Sequence, residues 1–195
     1  MFRMENKKIQ KEWSRGRVFL VLTVVWMIII FCFSAQPGDD SGDLSGSITH
    51  LAMQVINTVF QCGWNEIKVL ELTEVWHFPI RKLAHMTEFG ILALLCYGAG
   101  GIYYGAYERK SMELFMAGKR TSAMPTYHVV RMIGAFLIAF LYACSDEFHQ
   151  LFVPDRAGLL IDVLVDTVGV IIALLLLQIM LTIFGKNKEK DEYIS

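Results

Sequence analysis

The stretch Asp146-Glu147-Phe148-His149-Gln150, with Arg156, Asp162 and Asp166 beyond it, sets acids, an imidazole, an amide and a guanidinium between two apolar runs. Upstream, Arg81, Lys82, His85 and Glu88 open another apolar run. At about 100° per residue Arg81, His85 and Glu88 fall on one helix face. Ser34 and Gln36 close the first run. Such groups are expensive near lipid and need partners or a function.

Two chemistries fit these residue types. In one, His85 and Glu88, spaced i, i+3, join Asp146, His149 and Asp162 around a divalent metal in a bundle interior. In the other, Arg81, Lys82 and Arg156 hold an anionic headgroup while His85 or His149, tuned by a carboxylate, moves a proton. His85, Glu88, Asp146 and His149 are therefore the candidate catalytic groups. Ser34, Gln36, Arg81, Lys82, Glu147, Gln150, Arg156, Asp162 and Asp166 are the candidate binding groups. HExxH and GxSxG motifs are absent, and the spacing names no particular metal or cofactor. A purely structural reading has ion pairs such as Arg81 with Asp162 or Asp166 fixing helix register. Against it stands surplus: two histidines and at least five acids gather where one pair would set the register. A proton or ion pathway is disfavoured, because no polar stripe continues along the apolar runs.

The elements that must position these groups follow from composition. Hydrophobic residues make up 54% of the chain and mean hydropathy is +0.44, too apolar for an ordinary soluble domain and unevenly spread. The pattern predicts an all-α, integral membrane four-helix bundle. Its spans run over about 18–35, 83–104, 129–149 and 159–184, flanked by a basic N-terminus over 1–17 and a basic tail over 185–195. The first run is not a cleaved signal, because Phe33 stands where a small residue is required before Ala35. Between the first two spans, Ile48, Leu51, Ala52, Val55, Ile56 and Val59 recur at helical spacing with polar residues between them, which predicts an amphipathic interfacial segment. Ala135, Ala139 and Ala143 form a small-residue seam, and Asp162, Asp166, Gly169 and Ala173 share one face of the last span. Gly98, Gly101 and Gly105 are assigned to close packing. His50, His77 and His128 are read as solvated, and Cys32, Cys62, Cys96 and Cys144 as free thiols or packing residues.

Lys and Arg concentrate in the N-terminus, the 106–128 loop and the tail, so both termini are expected in the cytoplasm and the amphipathic segment outside. The polar groups then all lie at the extracytoplasmic end of a bundle in the cytoplasmic membrane. Glu88 and Asp166 lie deepest there, where a lone carboxylate would cost several kcal/mol. They are expected to face the interior and share a network with Arg81, His85, His149 or Arg156, capped by Ser34 and Gln36. The expected partners are the lipid bilayer and an envelope lipid or lipid-linked precursor. No basic patch interleaved with aromatics suggests nucleic acid.

Four motifs in this order carry a resemblance. FSAQP ends the first span, RKLAHMTEFG opens the second, DEFHQLFVPDR follows the third and DVLVDTVG lies in the fourth. Over about residues 18–180 the chain resembles the VanZ-like family of bacterial membrane proteins. That resemblance implies a four-helix membrane architecture and a link to reduced susceptibility to the glycopeptide teicoplanin; it implies no reaction. Alternatively, a VanZ-like protein is a non-enzymatic scaffold or partner subunit. Asp155 stands where the family pattern is expected to have glycine, and Asp166 where many relatives are expected to have asparagine.

Overall fold

Apolar runs of this length fold as helices because only a helix satisfies its own backbone in lipid. A computed structural model describes residues 2–107, 110–111 and 127–194. Helix α1 spans Phe2–Ser34, α2 Gly38–Val59, α3 Glu66–Ala99, α4 Tyr127–Gln150 and α5 Leu160–Ile194, with a 3₁₀ turn over Gly100–Tyr103 after α3. There is no strand among the described residues. Stretches of α1, α3 (with the turn that follows it), α4 and α5 are long and apolar enough to cross a membrane. The expected basic loop lies mostly outside the described residues, including Arg109, Lys119 and Arg120.

Helix α3 touches α1, α2, α4 and α5 and is the centre of the bundle. Phe89, Leu92, Ala93 and Cys96 of α3 bury themselves with Ile30 of α1, Ala135, Ala139 and Ala143 of α4, and Val163, Val170 and Leu174 of α5. The alanine seam expected on α4 is thus inside the bundle. Gly169 of α5 lies so close to α3 that a methyl there would meet the Met86 carbonyl, an approach that only a small residue permits. Outward, Val21, Leu141, Leu164 and Leu175 are exposed, as a lipid-facing surface requires. Two long-range bonds tie α1 in: Trp26 Nε1 donates to the Glu88 carbonyl at 2.9 Å and Tyr142 Oη to the Met27 carbonyl at 2.6 Å.

Helix α3 starts at Glu66, well before the start near Leu83 expected for its span. The 34-residue helix continues through Pro79, although proline removes one backbone donor. Its first half is supported by α2, which packs beside it. Thr49 and Met53 of α2 and Val69 and Thr73 of α3 are buried. Asn65 caps α3 by accepting from the Lys68 amide. The segment read as one amphipathic piece is therefore an αα-hairpin whose second arm is continuous with a span.

At the far end of the bundle His128 is not simply solvated. Its Nδ1 lies 2.8 Å from Tyr97 Oη and its Nε2 bonds Gln178 Oε1, linking α3, α4 and α5. Arg131 there donates to the Tyr97 carbonyl at 2.8 Å, so a cation meets the carboxyl end of α3.

Candidate functional site

Helix phase brings Arg81, Ala84, His85 and Glu88 to one face of α3, and this face looks onto a half-enclosed cavity of about 170 Å³. Helix α1 contributes Ile30, Phe33 and Ser34, and Gln36 follows it. Helix α4 contributes Asp146 and the α4–α5 loop Arg156, while α2 supplies Ser41, Leu44, Ser45 and Ile48. Seven of the thirteen candidate residues, namely Ser34, Gln36, Arg81, His85, Glu88, Asp146 and Arg156, thus line one cavity at one end of the bundle. The four α2 residues were not singled out from the sequence. Their signal was present: 41, 44, 45 and 48 share a helix face that is half serine and half apolar.

Arg156 is held by the end of α1. Its Nε donates to the Gln36 carbonyl at 3.2 Å and its Nη2 to the Phe33 carbonyl at 3.4 Å. These carbonyls belong to a helix terminus with partial negative charge. Nη1 is buried and has no partner among the described residues. Burial, and next the neighbouring Arg81, hold the Arg156 pKa below the usual guanidinium value, while Asp146 and Glu147 act the other way. The turn that presents Arg156 is tight. Asp155 has φ of 56°, the left-handed region where glycine is free of strain, which gives the expected family glycine a physical reason. The Gly38 amide donates to the Pro154 carbonyl at 3.1 Å, and a methyl at Gly38 would meet the Asp155 carbonyl.

Asp146 is 4% exposed and its Oδ2 accepts from Gln150 Nε2 at 3.0 Å. Ser34 Oγ is buried and lies beside the Asp146 carboxyl. Arg81 makes no ion pair among them. His85 sits in the field of Arg81, Lys82 and Arg156. Two carboxyls and an imidazole capable of proton transfer thus share a cavity with two guanidiniums capable of holding an anion.

The remaining candidates lie elsewhere. Lys82 Nζ is 2.5 Å from Asp162 Oδ2, an α3–α5 ion pair, where register-setting had been considered for Arg81. Glu147 Oε2 accepts from the Leu159 amide at 3.0 Å, placing a carboxylate at the start of α5 where the helix dipole favours it. His149 packs on Phe31 with ring centroids 4.6 Å apart. Asp166 is 1% exposed and faces the interior as expected, yet neither of its oxygens has a partner among the described residues. The network expected around Glu88 and Asp166 is therefore not formed there. The five residues of the metal reading do not converge either: among the described residues no three His, Cys, Asp or Glu side chains are placed to hold a metal.

The VanZ/LLP1 family model matches residues 19–181, most of the chain. The chain belongs to the VanZ/LLP1 family. No curated protein and no solved structure matches it. All four resembling motifs fall within the matched residues. FSAQP carries Ser34 and Gln36, RKLAHMTEFG carries Arg81, His85 and Glu88, and DEFHQLFVPDR carries Asp146 and Arg156, all on the cavity; DVLVDTVG carries Asp162, Asp166 and Gly169, on the interface of α5 with α3. This VanZ-family chain is a multi-pass membrane protein, with those motif residues gathered at one end of its bundle.

Proposed function

We propose that this VanZ-family protein acts at the extracytoplasmic face of the cytoplasmic membrane on an envelope lipid or other amphiphile, and so influences susceptibility to teicoplanin-type glycopeptides. The orientation rests on the excess of Lys and Arg in the N-terminus, the 106–128 loop and the tail. One observation carries the reading: the cavity joins Arg81, His85, Glu88, Asp146 and Arg156 to the apolar side chains of Ile30, Phe33, Leu44, Ile48 and Ile80. Water-soluble ligands have no use for that apolar wall, and a pure hydrocarbon has none for the charges.

The test compares teicoplanin susceptibility and membrane lipid profiles in cells lacking the gene, cells overexpressing the wild type, and cells overexpressing Glu88→Gln. A lipid altered by the wild type and left unaltered by Glu88→Gln supports action through the cavity. The competing reading is a non-enzymatic scaffold or partner subunit with a structural polar cluster. It draws support from Lys82, Glu147 and Asp162, whose charges are engaged in helix–helix and capping contacts. Identical phenotypes from wild type and Glu88→Gln would favour it.

A further inference from the structure

Arg81 and Arg156 repel each other across a cavity that supplies neither with an ion-pair partner among the described residues. Asp146, the acid that acts most strongly on Arg156, already accepts from Gln150. Arg156 also keeps Nη1 buried and without a partner among the described residues, and Ser34 Oγ lies buried on the same cavity beside the Asp146 carboxyl. An unmet buried donor of this kind is costly, and the Arg81 charge adds repulsion. An anion with several acceptor oxygens would relieve all of these at once, and a tetrahedral phosphoryl group matches the guanidinium fork.

The cavity also limits how much of a ligand it encloses. About 170 Å³ is smaller than the roughly 300–1,000 Å³ of a site that swallows a drug-sized molecule. It accommodates a headgroup and leaves the rest outside. Phe33, Leu44 and Ile48 line the cavity and are also 45%, 43% and 54% exposed. The apolar lining thus continues onto the outer surface between α1 and α2, a lateral exit to lipid.

Building on the amphiphile reading above, we infer that the cavity is a phosphoryl-headgroup site: Arg81, Arg156 and Ser34 hold the phosphoryl oxygens, and the attached hydrocarbon leaves between α1 and α2 over Phe33, Leu44 and Ile48. Glu88 and Asp146 also line it, and in protonated form a carboxyl donates to a phosphoryl oxygen.

The experiment places the full-length protein in phosphatidylcholine nanodiscs containing either phosphatidic acid or uncharged diacylglycerol and reads the retained lipid by native mass spectrometry. Inorganic phosphate alone is offered in parallel by equilibrium dialysis. Arg81→Gln is the diagnostic variant, because Arg81 makes no hydrogen bond or ion pair among the described residues; Arg156→Lys, checked for folding by circular dichroism, is the second. Preferential retention of phosphatidic acid, reduced about tenfold or more by Arg81→Gln and less by Arg156→Lys, is the expected result. Equal retention of the two lipids, indifferent to Arg81→Gln, overturns the phosphoryl assignment and leaves the amphiphile reading standing. Arg81-dependent binding of inorganic phosphate without any retained lipid supports the phosphoryl group and removes the lipid. Retention of neither overturns both.

Discussion

Asp166 shows how a single residue can be at odds with its surroundings. Its carboxyl is 1% exposed and neither oxygen is hydrogen-bonded among the described residues, although Lys82 lies close enough to pair with Asp162 one turn away on α5. A buried polar group left unbonded costs about 1–3 kcal/mol, and a charged one more. Asparagine keeps the shape and cannot carry the charge. Asp166→Asn is therefore expected to raise the apparent melting temperature of the detergent-solubilised protein by removing the charge while leaving a polar group in place, whereas Asp166→Ala also removes side-chain volume and gains less. An asparagine variant melting several degrees below the wild type would mean that the carboxylate has a partner essential to the fold. The candidate site was legible in the sequence to a similar depth: residue type and helix phase put Arg81, His85 and Glu88 on one face. The partners were not legible, because the choice of Lys82 over Arg81 for Asp162 depends on how α3 and α5 rotate against each other. His149 shows the same limit, since one helical position separates a ring on the cavity from a ring on Phe31.

At the scale of elements, the apolar runs were readable because hydrocarbon thickness imposes their length. The outer hairpin was only half readable. The apolar spacing of Ile48 to Val59 was readable as an amphipathic segment, but not that it packs beside the first half of α3 or that α3 runs through Pro79 into the span. The contact between α3 and α5 depends on backbone proximity at Gly169, where a methyl would meet the Met86 carbonyl. Backbone cannot yield as a flexible side chain does, so Gly169→Ala must push the helices apart, at an expected cost of about 1–3 kcal/mol. Gly134 on α4 is the matched control: a methyl there meets nothing within 4 Å, and Gly134→Ala should gain up to about 1 kcal/mol of helix propensity. Unfolding in sodium dodecyl sulfate mixed micelles reads both. Equal effects from the two alanines would show that close packing at Gly169 does not limit stability.

For the whole molecule the question is which way the cavity faces. Helix α3, with 34 residues rising about 1.5 Å each, is near 50 Å long, whereas the hydrocarbon core is about 30 Å thick. Some 20 Å of it therefore stands beyond the core and carries α2 alongside. In the proposed orientation this hairpin is extracytoplasmic, and its exposed Leu51, Val59, Ile67 and Val75 lie in the interfacial layer. The turn between its arms provides a native reporter. Cys62 is exposed there, beside Gln61 and Gly63, both at positive φ, and far along the chain from every candidate site residue. With Cys32, Cys96 and Cys144 replaced, a membrane-impermeant maleimide should label Cys62 in intact cells. A cysteine introduced at position 115, within the basic loop, should react only after permeabilisation. The reverse pattern would turn the cavity toward the cytoplasm, and an extracytoplasmic action on envelope lipid would fall with it, while a phosphoryl-headgroup site open to the inner leaflet would survive.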